Sequence, residues 1–181
     1  MIDTRGNRPI AVAWMPDRSG VSEGRRIMPR DTQVIELAGR YWLIGHLLAS
    51  GLEVAEPVRD RGVDLLVYDE RAKAFRALPV QVKASSYRSF SVHDKYKKAT
   101  GLVLAFIWNL DPQAGETTAF ALTVAEAQEL AEAMRWARAG RLAYSTTAPS
   151  KALVAALEPY QSTPTRWRSL LEAAGPSGGR A

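Results

Sequence analysis

Residues 62–69, Gly-Val-Asp-Leu-Leu-Val-Tyr-Asp, and residues 78–85, Leu-Pro-Val-Gln-Val-Lys-Ala-Ser, decide how this chain folds. Each holds a run rich in Val and Leu, Val63 to Tyr68 and Leu78 to Ala84, and the polar stretch Asp69 to Arg76 separates them. Two apolar runs of strand length joined by a short polar connection predict a β-hairpin. Side chains alternate across a strand, so Val80, Val82 and Ala84 share one face while Gln81, Lys83 and Ser85 share the other. The second strand thus carries an amide and an ammonium side by side, and a hairpin can bring Asp64, at the start of its partner, opposite them. Pro79 removes one ladder donor and points to an edge or a strand start.

The flanking segments extend the hairpin into an α/β domain. A helix is expected from about Thr32 to Ser50, with Asp31 or Thr32 as N-cap and Gly51 in the left-handed position just beyond it. Val34, Ile35, Leu37, Ala38, Tyr41, Trp42, Ile44, Leu47 and Leu48 cover most of its circumference, which predicts substantial burial. Gln33, Glu36 and Arg40 form its one polar stripe, with His46 further along. Leu52 to Val58 reads as a strand, and Arg59-Asp60-Arg61-Gly62 as a turn. Leu102 to Trp108 is almost continuously apolar, as in a strand buried on both faces under helices. Thr117 to Leu122 is a further strand after the turn Asn109 to Glu116. Thr123-Val-Ala-Glu126 is a capping box opening a helix expected to run through Ala139, with Gly140 after it. Ser150 to Leu157 predicts a short helix, and Thr163-Pro164 opens a last one ending at Gly175-Pro176.

With 181 residues, 46% of them hydrophobic and 24% charged, the chain fits one domain over residues 31–175. Residues 1–30, rich in Arg, Pro and Gly, are expected to be a flexible basic arm, and residues 176–181 a disordered tail. No apolar run is long enough for a bilayer span and no apolar leader follows Met1, so a soluble protein in the cytoplasm is the expectation. There is no cysteine, which excludes disulfide staples, thiolate nucleophiles and zinc ribbons. A metal site must then use oxygen ligands or the two histidines, His46 and His93, which lack a partner pattern. The net charge of +5 suits a polyanionic partner without requiring one.

Gly62-Val63-Asp64, followed seventeen residues after the Asp by Gln81-Val82-Lys83, resembles the core motif of the PD-(D/E)XK nuclease superfamily, the restriction-endonuclease-like fold. The resemblance covers roughly residues 31–140 and extends to element order, which is similar to that superfamily's α-β-β-β-α-β core. It implies a mixed central sheet flanked by helices, and a metal-dependent endonuclease acting on DNA, with RNA left open. In that reading Asp64, Gln81 and Glu36 hold Mg²⁺, or Mn²⁺ in its place, the carbonyl of Val82 adds a ligand, and Lys83 steadies the attacking water or the developing charge.

One position departs from the commonest pattern: residue 81 is Gln rather than Asp or Glu, bringing a dipole where a charge is usual. That feature favours a competing expectation, a catalytically inactive module of the same fold that binds nucleic acid or a protein partner. Glu36 likewise has a plain alternative, an i,i+4 pair with Arg40. Arg61, Ser85, Tyr87, Arg88, Lys95, Lys97 and Lys98 are the expected nucleic-acid contacts, because aromatics interleaved with cations suit a phosphate backbone and exposed bases. A solvated loop has the same composition. A homodimer is left open, and no membrane contact is expected.

Overall fold

The computed structural model describes residues 31–59, 61–71, 75–135 and 143–175. The expected basic arm, the expected tail and Gly140 lie outside the described residues. In the hairpin, β2 (Leu65–Tyr68) pairs antiparallel with β3 (Ala77–Ala84), Leu65 opposite Val80. Around it the strands order as β1-β2-β3-β5-β6, with β1 at Glu53–Ala55, β5 at Val103–Trp108 and β6 at Thr118–Thr123. Only the β3–β5 pair is parallel, so the sheet is mixed and the fold is α/β.

Period two in β5 builds two cores on opposite faces of this sheet. Val103, Ala105 and Ile107 join Leu65, Val67, Leu78 and Val80 under α1 (Thr32–Ala49) and α4 (Pro164–Ala173), whose Leu43, Leu47 and Trp167 are fully buried. Leu104, Phe106 and Trp108 face the other way, against α2 (Val124–Ala133) and α3 (Lys151–Leu157). The continuous apolar run in β5 is the consequence of needing hydrophobic side chains on both faces. The helix starts follow their sequence signals: Asp31 accepts from the Gln33 N–H, Thr123 and Glu126 cap each other reciprocally, and Thr163 accepts from the Arg166 N–H.

Several expectations need correcting. Helix α1 is not buried around its circumference. Ile35, Gly39, Leu43 and Leu47 make one buried stripe, while Val34, Leu37, Tyr41 and Leu48 on the opposite side are about half exposed. Helix α2 ends at Ala133 rather than Ala139, because Arg135 takes a left-handed conformation with φ 57°. The strand expected over Leu52 to Val58 shortens to β1. Pro79 lies inside a central strand; pairing with β5 begins only at Val80, so the missing donor falls where that ladder has not started. The parallel crossover from β3 to β5 carries no α-helix, unlike the core the motif resembles. Residues 85–100, expected as a polar stretch of loop composition, instead form β4 (Phe90–His93) and a 3₁₀ turn at Asp94–Lys98, and β4 pairs with β7 (Ala143–Thr146) in a separate two-stranded sheet.

One glycine sets how closely α1 meets the sheet. A Cβ at Gly39 would lie 2.4 Å from the Cβ of Ala84 and 3.1 Å from Leu110 Cδ1. Only a bare Cα lets the helix rest on the end of β3. Gly39→Ala is therefore expected to destabilise by about 1–3 kcal/mol through overpacking, although Ala is the better helix former. Thermal unfolding should fall by several degrees, and Ala84→Gly in the same chain should restore most of the loss. A midpoint unchanged by Gly39→Ala would mean that this contact is not a constraint.

Candidate active site

Strand β2 begins at Leu65, so beyond Val80 the β2-side edge of β3 has no strand partner. Asp64 closes that edge. Its backbone N–H donates to the Val80 carbonyl at 2.8 Å, and its carboxylate replaces the absent strand: Oδ2 accepts from the Val82 N–H and from Gln81 Nε2, both at 2.6 Å. Oδ1 accepts from Arg40 Nη2 at 3.3 Å. Asp64 is only 7% exposed, and a buried carboxylate is costly unless paired and hydrogen-bonded. These three donors allow it to remain there.

Because Gly39 seats α1 on Ala84, the helix overhangs this open edge and presents Glu36 and Arg40 to it. A cavity of about 260 Å³ results, lined by Glu36, Arg40, Asp64, Gln81, Val82, Lys83, Ala84 and Lys95. Five residues expected from the sequence to form the metal and catalytic site, Glu36, Asp64, Gln81, Val82 and Lys83, thus share one cavity. Lys95 reaches it from the 3₁₀ turn. Lys83 Nζ and Lys95 Nζ lie 5.2 and 5.1 Å from the ring centroid of Tyr96, itself 5% exposed, so one aromatic ring serves both ammonium groups. Three cations face two carboxylates in this lining, leaving one net positive charge.

The donor set fits a hard divalent cation in type: two carboxylate groups, one amide and one backbone carbonyl, with no sulfur or imidazole. Residue Val82 directs its N–H to Asp64, and in extended backbone its carbonyl points to that same edge. The fit in number is modest. Among the described residues no three Asp, Glu, His or Cys side chains gather as a metal site. Gln81 also presents its amide nitrogen to Asp64, and its oxygen would lie 3.7 Å from a Cβ placed on Gly62. A half-turn of the amide exchanges those atoms.

The remaining candidates disperse. Arg61, Tyr87 and Arg88 are exposed and outside the cavity. Ser85 is held by its backbone, its N–H donating to Ile107 and its carbonyl accepting from Leu110. Lys97 pairs with Asp94 at 2.6 Å; the side chain of Lys98 is outside the described atoms. His46 is a packing residue, stacked on Trp42 with centroids 5.1 Å apart and its Nε2–H donating to the Ser162 carbonyl at 2.6 Å. His93 lies in β4, opposite Ala143.

Arg40 is the site residue whose role the sequence did not disclose. An i,i+4 pair with Glu36 is one of the two readings of that helical stripe, but Arg40 turns to Asp64 and, at 3.7 Å, to Glu56 just after β1. Its position on the same helical stripe as Glu36 was the available signal. Comparison of the chain with protein-family models, with curated proteins and with solved structures finds no match, so any functional reading rests on the residues of this site.

Proposed function

We propose that the protein is a metal-dependent endonuclease that hydrolyses phosphodiester bonds in DNA. The observation that carries this reading is the convergence of Glu36, Asp64, Gln81, Val82 and Lys83 on one net-positive cavity at the open edge of β3. Asp64 and Glu36 would hold Mg²⁺ or Mn²⁺, with the Gln81 amide oxygen and the Val82 carbonyl completing the protein's share. When bound, such an ion polarises the scissile phosphate and lowers the pKa of water beside it. Lys83, fixed against Tyr96, orients the attacking water or offsets the charge that grows on the phosphate oxygens. Lys95 and Arg40 supply the positive field that draws a phosphodiester into the cavity. Supercoiled, linear and branched DNA incubated with Mg²⁺, Mn²⁺ or chelator test the proposal. Cutting that requires the metal is expected, and intact DNA under every condition contradicts it.

A second reading is favoured by a specific observation: all three donors around Asp64 already belong to the protein, and Gln81 brings no charge. In that reading the chain is a catalytically inactive module of nuclease-like architecture that binds nucleic acid or a protein partner. It predicts DNA binding that weakens with rising salt, insensitive to chelator and without cleavage. Absence of DNA binding even at low salt would leave only the protein-partner form.

A further inference from the structure

Arg40 holds Asp64 Oδ1 in the lining of the cavity, and its surroundings leave it an alternative. Its guanidinium touches Asp64 Oδ1 at 3.3 Å and Glu56 Oε1 at 3.7 Å, and its buried Nε has no hydrogen-bond partner. The side chain is thus divided between two carboxylates and fully bonded to neither. Asp64 is buried, whereas the Glu56 side chain is 45% exposed. A carboxylate offers about four acceptor positions, and Asp64 spends three of them on Arg40, Gln81 and Val82. A guanidinium and a divalent cation held by the same carboxylate repel each other at contact distance, so each weakens the other's hold on it.

We propose that Arg40 is the resident counter-ion of Asp64 and competes with the divalent cation for it, Glu56 being the carboxylate that receives the guanidinium when metal binds. The inference rests on the metal-dependent reading above. Metal affinity is then set by where Arg40 rests as well as by the ligands. Weakening the hold of Asp64 on Arg40 favours metal, and weakening the hold of Glu56 disfavours it. Arg40 in this role is a positioning residue; nothing in its geometry makes it a ligand.

The test is Mn²⁺ affinity without DNA, read from the electron paramagnetic resonance signal of free Mn²⁺, in wild type and in Arg40→Gln, Glu56→Gln, Lys95→Gln and Asp64→Asn. Loss of a contacting positive charge should tighten Mn²⁺ binding about tenfold in Arg40→Gln. Lys95→Gln removes the same charge from the cavity lining without touching Asp64, and should change affinity less than about threefold because its field is screened. Glu56→Gln should weaken binding, the opposite direction from Arg40→Gln, and Asp64→Asn should abolish it. Circular dichroism melts of each variant confirm that folded protein is compared. Equal affinity in wild type and Arg40→Gln, or equal tightening by Arg40→Gln and Lys95→Gln, overturns the competition. Absence of Mn²⁺ binding in every chain, wild type included, removes the metal-dependent reading itself.

Discussion

Asp64→Asn is expected to reduce metal-dependent cutting by about a thousandfold or more, equivalent to roughly 4 kcal/mol of transition-state stabilisation. The substitution keeps the shape of the side chain and one acceptor oxygen, which turned to the Val82 N–H keeps the open edge of β3 capped while the amide nitrogen faces Arg40. It removes the negative charge that anchors a cation. Loss of activity should therefore come without loss of fold, and a melting curve beside the cleavage assay checks this. Asp64→Ala removes the edge cap as well. It should show the same loss of cutting together with a lower melting temperature, because the Val82 N–H, Gln81 and Arg40 lose their acceptor.

Lys83→Ala carries the second large expected effect, a fall in cleavage rate of about 10²- to 10⁴-fold. Lys83 sits two residues beyond Gln81 on the strand that Asp64 caps, and its ammonium is held over Tyr96 at 5.2 Å from the ring centroid. A charge so held is placed before substrate arrives and needs no reorganisation during reaction. DNA affinity should change little by comparison, since Lys95 and Arg40 remain in the lining. Cleavage rates measured with DNA in excess, beside binding measured with chelator present, separate the two quantities. Equal losses in both would make Lys83 a binding residue only.

Much of this site was legible because it is local. Asp64, Gln81 and Lys83 lie on one predicted hairpin, where period two fixes their faces and antiparallel pairing fixes their proximity. Glu36 was placed by the order of elements, and the Gly39–Ala84 contact explains in physical terms why that helix ends up over the hairpin edge. Arg40 could not be assigned in the same way: its partner is 24 residues away, beyond the i,i+4 neighbours that a helical stripe reveals. The β4–β7 pair shows a different failure. Phe90-Ser-Val-His93 does alternate, and Phe90 and Val92 are buried, but four residues between charged neighbours are a weak signal without their partner, which starts 50 residues after β4 ends. Helix α1 was overestimated for the reverse reason. Apolar residues around a circumference do not say how much of it a neighbour covers, and the sheet covers one side.

The role proposed for Asp64 and its neighbours is that of a metal-dependent phosphodiesterase site. Its most direct test is nicking of supercoiled plasmid by wild type, Asp64→Asn and Lys83→Ala, purified identically, in Mg²⁺ and in chelator. Nicking by wild type in Mg²⁺ alone, lost in both variants, is the predicted result. Nicking that persists in chelator or survives both substitutions would contradict it, as would a wild-type protein that binds the plasmid and leaves it intact.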